Sequence, residues 1–499
     1  MSYHYIIVGG GSAGCVLAAR LTENPDSRVL LLEAGPATGP DDMAIPAAWF
    51  ELLGSELDWS YLTVPQPGTG NRAHFWPRGK VLGGSSSINA MAFLRGDRAP
   101  YDAWGPGWSY GDLLPYFRRS EHTRGRDAAF RGAGGPLRVA PVGNRHPLAE
   151  AVFDAVVESG FPRTDDLSGP RPVGAGWYDT NIVDGERQSV ADAYLRPHLD
   201  RPNLTVRAGA LARRLLMDGM RCVGVEYEVD GRLARDHAEA EVVLSAGTVG
   251  SAQLLLLSGI GPAVQLREVG IAVVADLPGV GENLQDHIAV PVVYRAAQPV
   301  YPGANNHGEM VALLRSSPDL AHPDMMVQPV DMPYTAADRD LPEHGYTLLT
   351  VLCHPHGAGT LRLADTDPAT PPLLDPRYLA DPRDVDACVT ALRVARRIGA
   401  AAALQPWCAA EVFPGPDIQD DAGLRAYVRA SVDTDWHPAG TCRMGTDDLA
   451  VVDLELRVRG VEGLRVADAS IIPVIPSTNI NAAVVAIAER AADLIAAGV

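Results

Sequence analysis

Lysine is almost absent: Lys80 is the only one among 499 residues, and the rest of the basic charge is arginine. That imbalance reads as a bias toward GC-rich codons. Positive charge is scarce in total as well. There are 42 Lys and Arg against 61 Asp and Glu, which gives a formal net charge of −19 and a pI near 5.1. Such a chain is a poor partner for a nucleic-acid backbone or an anionic membrane. Cysteine is sparse: Cys15, Cys222, Cys353, Cys388, Cys408 and Cys442 stand far apart with no CxxC pair. That excludes a disulfide scaffold and a zinc site, and no metal is expected. Long apolar runs are missing, none nearing the roughly 20 residues of a membrane span. Met1 leads directly into the run Tyr3 to Val8, which leaves no room for a signal or transit peptide. The expected location is the cytoplasm. Internal repeats, low-complexity tracts and a single dividing linker are missing too.

What remains is ordinary globular composition, 46% hydrophobic and 21% charged. The length allows two domains or one elaborate one. The N-terminus reads as a strand over 5–8, a glycine-rich turn over 9–14, a helix over 15–22 and a strand over 28–33. That unit demands a parallel sheet. Further strands are expected at 204–207, 222–228 and 241–245, then a buried helix across 247–261. The end repeats the opening logic: a strand at 464–467, a Pro-rich turn and a helix over 482–497. Between them, 291–432 mixes strand-like runs (325–329, 346–353, 360–364) with an amphipathic helix around 385–398. It reads as a separate layer inserted between pieces of a nucleotide-binding domain.

Gly9, Gly11 and Gly14 form GxGxxG between the first strand and helix. The first glycine allows the tight turn, the second lets a pyrophosphate approach the backbone, and the third permits close helix-to-strand packing. The helix N-terminus supplies positive potential to the phosphates. Glu33 ends the second strand, where an acid hydrogen-bonds a ribose hydroxyl. The fingerprint alone does not separate NAD from FAD. A single copy at the N-terminus favours one tightly held flavin.

Other blocks carry a resemblance. Gly79-Lys80-Val81-Leu82-Gly83-Gly84-Ser85-Ser86-Ser87-Ile88-Asn89, followed by Phe93, Gly96 and Asp102, resembles the first signature of the glucose–methanol–choline (GMC) oxidoreductases. Gly247-Thr248 through Ser251 to Ser258-Gly259-Ile260-Gly261 resembles the second, with Ala252 where Pro or Ser is usual. In order follow Pro278 to His287, Gly359 to Leu363, His437-Pro438-Ala439-Gly440-Thr441-Cys442-Arg443-Met444-Gly445, and Leu464 to Ser470. The resemblance spans essentially the whole chain. It implies an α/β (α+β overall) protein, with a Rossmann-like FAD-binding domain and an inserted substrate domain built on an antiparallel sheet with helices. The FAD-binding domain is expected from 1–150, 190–290 and 433–499, and the substrate domain from 151–189 and 291–432.

The implied cofactor residues cluster by block. They are Gly9, Gly11, Ser12, Ala13 and Gly14 in the turn, with Glu33 and Ala34 after the second strand. Val81, Gly83, Ser86, Asn89, Ala90, Met91 and Ala92 belong to the first signature and its continuation. Ala212, Ala246, Trp436, Asp468, Ala469 and Ile480 complete the set. Some relatives attach FAD covalently through a histidine just before the Asn of the first signature. Ile88 stands there, so noncovalent FAD is expected.

Oxidising an alcohol needs a base for the hydroxyl proton and an acceptor for the hydride, which the cofactor supplies. His437 occupies the family's catalytic histidine position and suits a base because imidazole titrates near neutrality. Counting back from the helix that holds Glu489 places Asn481 at the second catalytic position, with Asn479 as helix cap. His287 falls in a cofactor-covering block and is left out of the chemistry. Candidate substrate-pocket residues are Trp177, Tyr178, Asn306, His307, Glu309, Met310, Gln328 and Trp436. Glu309 is a possible partner for a cation such as choline, although base rates make it a solvated surface carboxylate. The reaction expected is oxidation of a small primary alcohol to an aldehyde, with oxygen or another acceptor reoxidising the flavin. A hydroxynitrile lyase, a flavoprotein without activity and an NAD-dependent dehydrogenase stay open as alternatives.

Overall fold

A computed structural model describes residues 2–337 and 339–498. Two seven-stranded sheets organise it. The first runs in the order Leu204–Arg207, Val29–Leu32, Ser2–Val8, Arg232–Leu244, Arg221–Val229, Ala210–Asp218, and Leu464–Val466 also pairs with Arg232–Leu244. The strands at its centre are parallel, and the last three turn antiparallel as hairpins. Parallel strands are covered on both faces and so read as unbroken apolar runs. Val29–Leu32 and Ile6–Ile7 are such runs, all buried to 1% exposure or less. Each side chain of this kind contributes about 1.5–3 kcal/mol by leaving water.

The helix Ser12–Leu21 starts at the end of the first strand, turned there by Gly9 at φ +102°. Only hydrogen fits at Gly14, since a Cβ would lie 1.9 Å from the Gly9 carbonyl oxygen. The C-terminal helix Asn481–Ala497 packs alongside Ser12–Leu21, its face rich in alanine. Glu489, fully buried in it, is held by Arg20 at 2.8 Å and the Tyr194 hydroxyl at 2.6 Å.

The second sheet is antiparallel, in the order Cys408–Phe413, Ile288–Ala296, Gly345–Leu352, Met325–Val330, Met310–Leu314, Gly174–Trp177, with Asp433–Thr434 joined to Ile288–Ala296. Helices Pro147–Glu158 and Pro382–Gly399 pack on one face. Along Gly345–Leu352 the two-residue alternation of a strand is plain. Tyr346 and Leu348 join the main core, while Leu349 and Val351 join a smaller cluster facing the other way. The expected strand at 360–364 is shorter and lies outside this sheet. Thr360–Arg362 pairs only with Leu373–Asp375. The helix expected over 247–261 ends at Leu257, because Ile260–Gly261 pairs with Ala275–Asp276. All six cysteines are free. Among the described residues no helix is long and apolar enough to cross a membrane.

Candidate active site

A cavity of about 740 Å³ runs between the two sheets, from the Gly9–Gly11 turn to Tyr178, Gln328 and Tyr334. That is within the range of cofactor and ligand sites. At its first end Gly11 faces the cavity with room to spare. An added Cβ would find Gly84 Cα at 3.8 Å and the Ser245 carbonyl oxygen at 4.0 Å, both ordinary contacts. Gly84 could not carry a side chain, because its Cβ would sit 2.7 Å from Gly11 Cα. Two loops thus press glycine against glycine and leave a backbone-walled cradle beside the start of Ser12–Leu21, whose free N–H groups suit a phosphate. Glu33 lines the same end, accepting from Gly10 N (2.9 Å) and Gly35 N (2.8 Å). Burial pushes its carboxyl up to about 7. The cradle and the acid match what a dinucleotide needs, so the residues present fit FAD.

Most of the cofactor positions named from the sequence line this cavity: Gly9, Gly11, Ser12, Ala13, Glu33, Ala34, Asn89, Ala90, Met91, Ala92, Ala212, Ala246, Trp436, Asp468, Ala469 and Ile480. Four stand behind the wall. Gly14 packs helix on strand, and Gly83 N donates to the Gly10 carbonyl at 2.8 Å. Ser86 binds the Gly83 carbonyl (2.6 Å) and Val190 N (3.0 Å), while Val81 is buried among Leu52, Leu57 and Ile88. Gly247 and Thr248, the start of the second signature, line the cavity too, as do Trp59, Tyr61 and Arg78, which carry no sequence signal.

The other end is built around His437. Asp286 accepts from His437 N (2.7 Å), Thr434 Oγ1 (2.5 Å) and Tyr378 Oη (2.5 Å), which pins the 434–437 segment. Burial lifts that carboxyl to about 6. Trp436 sits at φ +61°, and its carbonyl accepts from Arg78 Nη2 at 2.5 Å. The Asp286–His287 pair is therefore not merely cofactor cover: His287 Nδ1 lies 3.0 Å from His437 Nδ1.

The ring protons follow from the partners. His287 Nε2 faces the Pro476 carbonyl at 2.9 Å, and a carbonyl only accepts, so Nε2 carries the proton. His287 Nδ1 is then an acceptor, and His437 Nδ1–H donates to it. His437 Nε2 is left with a lone pair, which accepts from Asn479 Nδ2 at 3.0 Å. Burial keeps both rings neutral, pulling His287 down to about 3 and His437 well below 6.5. The donor atoms of His287, His437 and Asp435 lie within 4.8 Å of one another, a grouping that would suit a metal. The ring-to-ring hydrogen bond already gives every ring proton of this cluster a place.

Asn481 also lines the cavity, but its amide is turned to the N-terminal helix and not to His437. Its Oδ1 accepts from Ser12 Oγ at 3.0 Å, tying the two helix N-termini together. The helix begins at Asn481 after Ile480, with no side-chain cap. Asn479 is thus not the cap: one residue before Ile480, it turns its amide to His437. The three-residue run Asn479-Ile480-Asn481 held both candidates, and only the register of the helix start separates them.

Of the expected pocket residues, Tyr178, Asn306, His307, Gln328 and Trp436 line the cavity. Trp177 stacks on Phe153 at 5.3 Å, and Met310 is buried in the sheet; neither lines it. Glu309 is neither solvated nor in the cavity. It is 2% exposed and accepts from His146 N and Asn305 Nδ2, both at 2.6 Å. Trp49, Phe50, Tyr334 and Asp435 line the cavity and had no local signal in the sequence.

Comparison with known proteins agrees with this geometry. Two family models, both described as GMC oxidoreductase, match residues 3–289 and 355–488. The chain is 41% identical to the mitochondrial choline dehydrogenase of Mus musculus over 533 residues, covering 99% of this chain and 89% of that protein. It is 40% identical to the oxygen-dependent choline dehydrogenase of Escherichia coli O17:K52:H18, covering 99% and 96%. Among solved structures, pyridoxine 4-oxidase from Mesorbium loti superposes with a TM-score of 0.96 at 38% identity, covering 98% of each chain. A formate oxidase of Aspergillus oryzae RIB40 superposes at 0.92 with 27% identity, covering 100% of this chain and 98% of that one. The chain belongs to the GMC oxidoreductases and is an FAD-dependent alcohol oxidoreductase.

Proposed function

We propose that the protein oxidises a small primary alcohol to its aldehyde, with His437 as the base and Asn479 as its partner at the substrate oxygen. The observation that carries this reading is the convergence of His437 Nε2 and Asn479 Nδ2, 3.0 Å apart on the cavity wall. A hydroxyl inserted between the two atoms takes the amide's place at Nε2: it gives its proton to the lone pair and accepts from the amide N–H released from the ring. The amide then favours the alkoxide-like oxygen as charge develops there. His287 fixes the tautomer that leaves Nε2 unprotonated, and Asp286 fixes the backbone that carries the ring. FAD, when bound, supplies the hydride acceptor at its N5. The Gly11–Gly84 cradle and Glu33 hold its nucleotide end, and the N-terminus of Asn481–Ala497 favours negative charge near its ring. Ile88, which lines the cavity beside Asn89, offers no atom for a covalent link, in keeping with noncovalent FAD. Oxygen or another acceptor takes the electrons away. The test is a panel of primary alcohols given anaerobically to the yellow holoenzyme. Bleaching of the flavin by at least one of them supports the reading; a flavin that none of them reduces argues for a non-redox role.

A further inference from the structure

Among the described residues four carboxylates line the cavity: Glu33, Asp433, Asp435 and Asp468. Three have partners. Glu33 accepts from two backbone N–H groups. Asp468 accepts from Gly247 N, Ser251 Oγ and Ser470 N, at 2.5–2.9 Å. Asp433 meets His74 Nδ1 at 2.7 Å and Tyr334 Oη at 3.5 Å. Asp435 differs. Its nearest donor is His437 Nδ1 at 3.4 Å, beyond an ordinary N–H···O bond, and that proton is already given to His287. Burial first, and then its acidic neighbours Asp286 and Asp433, push its carboxyl well up. The cavity's one guanidinium, Arg78, is committed to the Trp436 carbonyl.

A half-buried carboxylate without donors, as Asp435 is, is unfavourable once a ligand fills the cavity and excludes water, and a charge nearby relieves it less than a donated N–H does. The protein supplies neither. Asp435 lies beside the base, on a wall shared with the rings of Tyr178, Tyr334 and Trp436, which suit a cation or a flat heterocycle. We propose that Asp435 selects the substrate: the alcohol carries a cationic N–H, on a protonated amine or pyridine-type nitrogen, that donates to Asp435 while its hydroxyl lies against His437 and Asn479. This rests on the alcohol-oxidising reading above. It separates N–H cations from quaternary ammonium, which brings charge without a donor, and from neutral alcohols, which bring neither. It also moves the cation site from Glu309, whose oxygens are already bonded away from the cavity.

Three alcohols of closely similar shape test it at neutral pH: protonated 2-dimethylaminoethanol, choline and 3,3-dimethylbutan-1-ol, the first with an N–H where the other two carry a third methyl. The expected order of kcat/KM places the protonated amine first, above the neutral alcohol by on the order of ten- to a hundredfold. Asp435→Asn should collapse that ratio. Binding is read separately by calorimetry with trimethylammonium and tetramethylammonium, which have no hydroxyl and cannot turn over. The first should bind more tightly to the wild type, and the advantage should vanish in Asp435→Asn. A wild type that prefers choline, or shows no preference, overturns the proposal. So does an Asp435→Asn variant that slows all three alcohols equally, since the carboxylate would then act through His437. If no alcohol reduces the flavin but trimethylammonium still binds in an Asp435-dependent way, the oxidation reading fails and the site assignment stands.

Discussion

Asn479 Nδ2 and His437 Nε2 meet 3.0 Å apart, although the two residues come from opposite ends of a crossing between the sheets. His437 follows Asp433–Thr434, which pairs with Ile288–Ala296 of the antiparallel sheet, and Asn479 precedes the C-terminal helix, which packs on Ser12–Leu21 of the nucleotide-binding layer. The active centre is where the two layers touch.

The glycines of the N-terminal turn do separable work. Gly11→Val places its branched side chain in the cradle, where the fold has room. That protein should purify folded but colourless. Gly14→Ala should fail differently, because its methyl group meets the Gly9 carbonyl oxygen at 1.9 Å and the strand–helix junction must shift. Thermal melting beside the visible spectrum checks both. A yellow, fully active Gly11→Val enzyme contradicts the cradle.

Noncovalent attachment has a simple readout. Acid precipitation of the holoenzyme should leave all the flavin in the supernatant, since Ile88 stands where a linking residue would be. Colour retained in a washed pellet counts against it.

Much of this was legible in the sequence, for a physical reason. The strand–turn–helix–strand unit is local, so its glycine spacing and apolar runs appear within 35 residues. The His287–His437 contact is not local: 150 residues separate the partners, which are brought together only when Asp433–Thr434 pairs with Ile288–Ala296. Which of Asn479 and Asn481 turns its amide to His437 depends on where a helix starts, which propensity places only to within a residue or two. Glu309 looked like a surface acid because its donors, His146 N and Asn305, come from the chain's folding around it.

Acid should act on stability through His287. Its folded value is about 3 against 6.5 when unperturbed, so between these values the unfolded state binds the proton and the folded state does not. Stability from this group is present above about 6.5 and is lost as pH falls toward 3. Glu33 and Asp286, raised to about 7 and about 6, oppose that slope. The comparison is therefore made against His287→Gln, whose denaturation midpoint should fall less than the wild type's between pH 6.5 and 4. Equal slopes would mean that His287 titrates normally in the folded protein.

The most direct test of the centre is the rate of anaerobic flavin reduction, followed by stopped flow with an alcohol that the wild type oxidises. His437→Ala should slow it by about 10²–10⁴-fold, the scale of general-base catalysis, with FAD still bound. Asn479→Ala should slow it less, since it removes one neutral hydrogen bond. Asn481→Ala, which loses the contact to Ser12 and none to His437, should slow it least of the three. Reduction at near wild-type rate in His437→Ala, or a larger loss in Asn481→Ala than in Asn479→Ala, would contradict the assignment of base and partner.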